Sequence, residues 1–211
     1  MSQNIVIVDY GMCNVSSVKN MLRHLGYDSV ISSELNEIEK AGKLILPGVG
    51  NFAEAMHRLE SSGMKSLLDY KVKEEQTPVL GICLGMQLLT TYSEEGGCEG
   101  LGWIDAETKK FKEAMMTEEG SELKVPHMGW DYVRIENRSS IVDGLLQKDR
   151  FYFVHSYYVN CYAQENVIAT TEYGCRFDSV IQSGHIVGTQ FHPEKSLKYG
   201  MKILKNYVEN F

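Results

Sequence analysis

The chain has 211 residues, a formal net charge of −7 and 43% apolar residues. That length suits one domain over residues 1–211 with a sizeable core, and the ordinary apolar content excludes a disordered chain. With no block of Lys or Arg to track phosphates a nucleic-acid binder is excluded, and no apolar run is long enough to span a membrane.

The first residues, Met1 to Asn4, carry neither the charged nor the long apolar region of a leader. Ile5 to Val8 is a β-branched run of the kind buried on both faces of a parallel sheet. It opens into a polar turn, Asp9 to Asn14, and then a helical pattern at Val15, Val18, Met21, Leu22 and Leu25 that Gly26 stops. Tyr27 to Ile31 reads as a second strand, Leu35 to Lys40 as a short helix and Lys43 to Leu46 as a third strand. Pro47-Gly48-Val49-Gly50-Asn51 follows, ahead of another helix. Glycines there free backbone N–H groups for a ligand or a developing oxyanion. A phosphate loop lacks its Lys-Ser/Thr, and a plain strand-to-helix turn is the commoner reason for two glycines.

Val79 to Ile82 is a fourth strand, and Cys83 stands at its end between Gly81 and Gly85. Leu84, Met86, Gln87, Leu88 and Leu89 then favour helix. Glycine–x–nucleophile–x–glycine on a sharp strand-to-helix turn exposes a reactive side chain, and a helix N-terminus beneath a sulfur favours thiolate. A buried core cysteine is the bland alternative. The β-α-β-α-β order implies right-handed crossovers and an α/β, doubly wound, mostly parallel sheet with flanking helices. Sites in such sheets form at the carboxyl ends of the strands, where Asp9 to Asn14, Pro47 to Asn51 and Cys83 all lie.

After Leu89, glycines at 96, 97, 100 and 102 punctuate a loop, and Phe111 to Leu123 is charged and weakly patterned. Short β-rich runs follow: Tyr132 to Ile135, Phe151 to Val154, Tyr157 to Tyr162, Val167 to Thr171, Phe177 to Ile181 and Ile186 to Gln190. They read as an added mixed or antiparallel portion of the same sheet. Leu197 to Phe211 closes the chain as a helix, with Leu197, Met201, Leu204 and Val208 near helical spacing. The five cysteines (Cys13, Cys83, Cys98, Cys161, Cys175) are odd in number and lack metal-ligand spacing, so no metal or other cofactor is expected and a reduced, cytoplasmic compartment is.

His192-Pro193-Glu194 follows a strand, and the proline fixes the turn. From there His192 would take a proton from Cys83 and return it to a leaving amine, with Glu194 orienting the imidazole. Of the other histidines, His127 and His155, in aromatic surroundings, are the main rivals.

Gly81 to Gln87 together with His192-Pro193-Glu194 resembles the class I glutamine amidotransferases, which release ammonia from glutamine through a Cys-His-Glu triad and a glutamyl thioester. Asp9-Tyr10-Gly11, Pro47 to Gly50, Pro126 to Trp130, Phe151 to Tyr157 and His192 to Ser196 extend the resemblance to the glutaminase subunits of imidazole glycerol phosphate synthases. It implies Cys83 as nucleophile, His192 as base and acid, and Glu194 as orienting carboxylate. It also implies an oxyanion site from Leu84 and the Val49–Gly50 loop, and a pocket for L-glutamine at Gln87, Glu95, Ser156 and Tyr157. Glu94, beside Glu95, competes for its role. Asn14, Trp130, Tyr152 and Lys195 match the face turned to a (β/α)8-barrel cyclase, giving a heterodimer that serves histidine biosynthesis. A paralogous synthase, a binding relative without catalysis and a peptide-cleaving cysteine hydrolase are the alternatives. Cys13 stands where the family pattern has glycine, so a positive φ there would cost stability or reshape the turn. Asp131 replaces the more usual asparagine and adds a charge near the partner face.

Overall fold

The computed structural model describes residues 4–112, 115–116 and 122–211. Met1 to Gln3 and part of the charged 111–123 stretch lie outside the described residues. The first half alternates strand and helix: β1 (Ile5–Val8), α1 (Val15–His24), β2 (Ser29–Ser32), α2 (Leu35–Glu39), β3 (Lys43–Gly48), α3 (Phe52–Ser61), α4 (Met64–Asp69), β4 (Val79–Cys83) and α5 (Leu84–Leu88). Short strands β5 (Tyr92–Ser93), β6 (Cys98–Glu99), β7 (Ala106–Lys110), β8 (Met115–Met116) and β9 (Glu122–Leu123) follow. The remainder is β10 (His127–Tyr132), β11 (Arg134–Ile135), β12 (Arg150–His155), β13 (Tyr157–Cys161), β14 (Val167–Glu172), β15 (Arg176–Ser183), β16 (Ile186–Thr189) and a closing α6 (Leu197–Asn210).

Among the described residues one sheet runs β2-β1-β3-β4-β16-β15-β13-β7-β5-β6, with β14 on β15 and β11 on β14. From β2 to β16 every pairing is parallel; beyond β16 the sheet turns largely antiparallel. The alternation along each strand explains the double winding. Val6, Val8, Leu44 and Leu46 point to one core with Phe52, Leu59 and Leu68, while Ile5, Ile7, Ile45, Leu80 and Ile82 point to the other with Leu22, Leu204 and Tyr207. The α/β expectation holds, including the mixed β portion. Among the described residues no helix is long and apolar enough to cross a membrane.

Some differences from the sequence reading have clear packing reasons. The second strand starts at Ser29 rather than Tyr27, because the Tyr27 N–H closes α1 by donating to the Leu22 carbonyl. Tyr132 to Ile135 is not one strand: β10 pairs with β12 and β11 with β14, so the chain changes sheets at Val133. The packed face of α6 is Gly200, Ile203, Leu204 and Tyr207, whereas Leu197 is 65% exposed. Gly200 sits so close to the Pro193 carbonyl that a Cβ there would lie 1.8 Å from its oxygen. That contact sets the roll of the helix, which spacing alone did not reveal.

Candidate active site

Cys83 ends β4 with φ 55° and ψ −110°, a conformation L-residues avoid, and α5 begins at the next residue. The flanking glycines permit it. A Cβ on Gly85 would lie 1.7 Å from the Leu46 carbonyl oxygen, and one on Gly81 2.7 Å from that of Gly85. No side chain fits at either place, so strand and helix press together and hold the strained turn. α5 is little more than one turn long, shorter than the apolar pattern through Leu89 suggested. The loop at 101–103 takes up its last carbonyls through the N–H groups of Leu101 and Trp103.

His192 and Glu194 sit behind the cysteine, both side chains almost fully buried. Glu194 Oε1 accepts from His192 Nδ1 at 2.7 Å. The turn that carries them is pinned to β12: the His192 N–H donates to the Tyr152 carbonyl, and Ser196 Oγ donates to the His192 carbonyl while accepting the Tyr152 N–H. His192 Nε2 is buried without a hydrogen-bond partner. Burial opposes a charge on this ring, but the neighbouring Cys83, and then Glu194, outweigh it and push the imidazole up to about 10. The structure therefore sets an imidazole on its proton-retaining side next to a cysteine sulfur.

A cavity of about 370 Å³ opens in front of Cys83, lined by Val49, Gly50, Leu84, Gln87, Glu95, Ser156 and Tyr157 among others. Every residue expected for oxyanion or glutamine binding thus borders one space with the cysteine. Glu95 and Glu94 part company here. The Glu95 carboxylate accepts the Phe52 N–H at the start of α3, and burial outweighs that bond and Asn51 to raise its pKa. Glu94 turns away and accepts the Lys110 N–H. Val49 departs from expectation. Its N–H donates to the Met12 carbonyl at 2.8 Å, so in this arrangement it is not offered to an oxyanion.

The rival histidines are committed elsewhere. His127 is stacked on Phe153 and Tyr173, and its Nδ1 lies 3.1 Å from His155 Nε2. His155 borders the cavity, but its Nδ1 bonds the Tyr157 carbonyl at 2.8 Å. Burial, then His127, push its pKa down to about 3, so it is neutral at physiological pH.

On the outer face the Trp130 and Tyr152 rings meet edge-on at 6.1 Å, and Lys195 Nζ lies 5.8 Å over Tyr152. Asn14 is exposed at the head of α1, which packs against the same 193–195 turn. The positive φ in the first turn belongs to Gly11, at +83°, and not to Cys13, so the expected strain at Cys13 is absent. Cys13 Sγ instead reaches the Val8 carbonyl and Asp9 Oδ1. Asp131 turns toward buried His127, its Oδ2 3.4 Å from Nε2, so its charge is not purely a surface feature. One buried polar residue beside Cys83, Gln190, was not singled out from the sequence. Its place directly before Phe191-His192 in a run of β-rich residues gave only a spacing signal.

The family model for class-I glutamine amidotransferases matches residues 6–211. The chain is 49% identical over 205 residues to the imidazole glycerol phosphate synthase subunit HisH 2 of Methanococcus maripaludis, covering 97% of this chain and 98% of that one. It is 43% identical to the subunit HisH 2 of Pseudomonas aeruginosa, with the same coverage. To the subunit HisH of Geobacillus kaustophilus it is 46% identical, covering 97% of this chain and 95% of the other. Among solved structures, a glutamine amidotransferase aligns with a TM-score of 0.74 at 17% identity over 97% of both chains, a likeness of fold alone.

Proposed function

The chain belongs to the class-I glutamine amidotransferases, and on that premise we propose that it is the glutaminase partner of an imidazole glycerol phosphate synthase, working through Cys83, His192 and Glu194. The observation that carries the proposal is the convergence of Cys83, Leu84, Gln87, Glu95, Ser156 and Tyr157 on one cavity with the His192–Glu194 pair behind the sulfur.

In this reading Cys83 Sγ attacks the carboxamide carbon of L-glutamine, and its proton passes to His192 Nε2. The carbonyl oxygen becomes an oxyanion facing the Leu84 N–H, which as the first N–H of a helix has no partner inside it. The C–N bond breaks as His192 returns the proton to nitrogen, ammonia leaves, and a glutamyl thioester remains. Water then attacks the thioester, His192 takes its proton and Sγ leaves, giving glutamate. Glu95 and Gln87 hold the substrate's ammonium, and Ser156 and Tyr157 its carboxylate. The second oxyanion donor comes from the Val49–Gly50 loop once Val49 releases the Met12 carbonyl. That makes the free chain a slow glutaminase.

Ammonia in neutral water is protonated and no longer nucleophilic, so its release belongs over a closed passage into an acceptor site. The exposed Met128, Trp130 and Tyr132 of β10, with Tyr152 and Lys195 beside them, form an aromatic face of the kind that anchors stable interfaces. We assign its occupant as a (β/α)8-barrel cyclase, in a heterodimer serving histidine biosynthesis in the cytoplasm, where five free cysteines persist.

Glutamate release is measured with and without a histidine-pathway cyclase and its nucleotide substrate. Strong stimulation, abolished by Cys83→Ala, is expected; a fast, partner-independent rate refutes the coupled reading. A second reading keeps the chemistry and changes the acceptor, because two of the relatives are named as second copies of the subunit. It is favoured if Cys83 reacts with a glutamine-like electrophile yet the histidine-pathway cyclase gives no stimulation.

A further inference from the structure

Gln190 is fully buried just past β16. Its side chain bridges Gln87, whose Nε2 lies 3.2 Å from Gln190 Oε1, and Cys83, whose Sγ lies 3.8 Å from Gln190 Nε2. Carboxamide ends look alike in outline, so the direction of such a chain has to come from its neighbours. Here one backbone carbonyl settles it. The Tyr157 carbonyl only accepts, so the Gln87 atom 2.9 Å from it is the NH₂ group. The second hydrogen of that nitrogen goes to Gln190, which must therefore present its oxygen. The nitrogen of Gln190 is left facing the sulfur.

The same carbonyl also fixes the histidines. His155 Nδ1 donates to it at 2.8 Å, and because burial keeps this ring neutral its Nε2 accepts from His127 Nδ1. His127 Nε2 lies 3.4 Å from Asp131 Oδ2, beyond this chain of hydrogen bonds. A single assignment of hydrogens satisfies every link from His127 to Cys83, and it ends in a donor.

The sulfur also lies 3.9 Å from the Val154 carbonyl, which receives S–H and so suits the thiol. A side-chain N–H has the opposite preference, because it stabilises negative charge on sulfur. We propose that Gln190 is a further catalytic residue, whose side-chain N–H donates to Cys83 Sγ and favours the thiolate that attacks glutamine. Gln87 and the Tyr157 carbonyl are the groups that keep the nitrogen, rather than the oxygen, on the sulfur. The proposal rests on the reading of Cys83 as nucleophile. The titratable groups facing Cys83 are His192, from the turn after β16, and Tyr10, from the turn after β1. Neither is altered in the test.

The experiment follows alkylation of Cys83 by iodoacetamide in the full chain across about pH 5 to 10, read by mass spectrometry of its peptide. Gln190→Met and Gln190→Leu are compared with the wild type, and thermal unfolding establishes that each variant is folded. The alkylation midpoint is expected to rise by about one to two pH units, and kcat in the cyclase complex to fall about tenfold to a hundredfold at little cost in KM. A merely structural role would leave the midpoint in place, and a wild-type midpoint in either folded variant overturns the proposal. Without any variant, the side-chain amide resonances of Gln190 in the wild type are expected to move with the alkylation midpoint; resonances that stay fixed overturn it equally. Glutamate release that survives Cys83→Ala would instead sink the nucleophile reading, whereas a Cys83-dependent enzyme with an unmoved midpoint sinks this proposal alone.

Discussion

Glu194→Gln removes one charge from a buried pair while keeping an oxygen that can accept from His192 Nδ1. The geometry sets the size of the effect. Glu194 Oε1 stands 2.7 Å from Nδ1, and both side chains are almost wholly excluded from water, so little solvent replaces the lost charge. A hydrogen bond to a charged group contributes about 1.5 to 3 kcal/mol, equivalent to about one to two pH units. His192 is held up to about 10 by Cys83 and then Glu194 against the burial of the ring. In the variant it is expected to titrate roughly one to two units lower, with kcat down about tenfold to a hundredfold. Stability follows the same sign. The folded value lies above the unfolded value of about 6.5, so the contribution of His192 is fully present below that pH and is lost as pH rises toward about 10. In Glu194→Gln the loss is complete at correspondingly lower pH. Ring resonances of labelled histidine give the titration, and urea unfolding at a series of pH values gives the linkage. An imidazole that titrates in the variant where it does in the wild type would refute the assignment of Glu194 as its charge partner.

Three further outcomes test other parts of the site. Gly85→Ala puts a Cβ 1.7 Å from the Leu46 carbonyl oxygen, and is expected to destabilise the chain by about 3 kcal/mol or more, read as a lowered unfolding midpoint or loss of soluble protein. Glu95→Gln is expected to raise KM for glutamine about tenfold with a smaller effect on kcat, while Glu94→Gln leaves KM near wild type; equal effects would reverse the choice between them. Because burial raises the Glu95 pKa, the wild-type KM is also expected to climb as pH falls through that raised value and the carboxylate is neutralised. Trp130→Ala is expected to weaken cyclase binding by about 2 kcal/mol, roughly thirtyfold in Kd, by titration calorimetry.

The alternation of β-branched strands with amphipathic helices, and the Gly81–Cys83–Gly85 turn, follow from rules that act over a few residues, and these were legible in the sequence. Steric limits on φ and ψ, the two helical and strand periodicities, and the need for a small residue where backbones touch leave their marks locally. His192-Pro193-Glu194 was legible for the same reason, since two residues across a fixed proline present their side chains together. What the sequence did not determine is how hydrogen bonds are shared between groups far apart in the chain. Glu95 and Glu94 are equivalent until the Phe52 N–H and the Lys110 N–H claim one each. Val49 looks like a free donor until the Met12 carbonyl occupies its N–H. His127 and His155 resemble catalytic rings until they are found bonded to each other and to the Tyr157 carbonyl. Gln190 carries only a spacing signal: its partners, Gln87 and Cys83, lie more than a hundred residues away along the chain. Chain order and residue type place the nucleophile and its base, but which buried donor meets which acceptor is settled only when the sheet brings those distant segments within bonding distance.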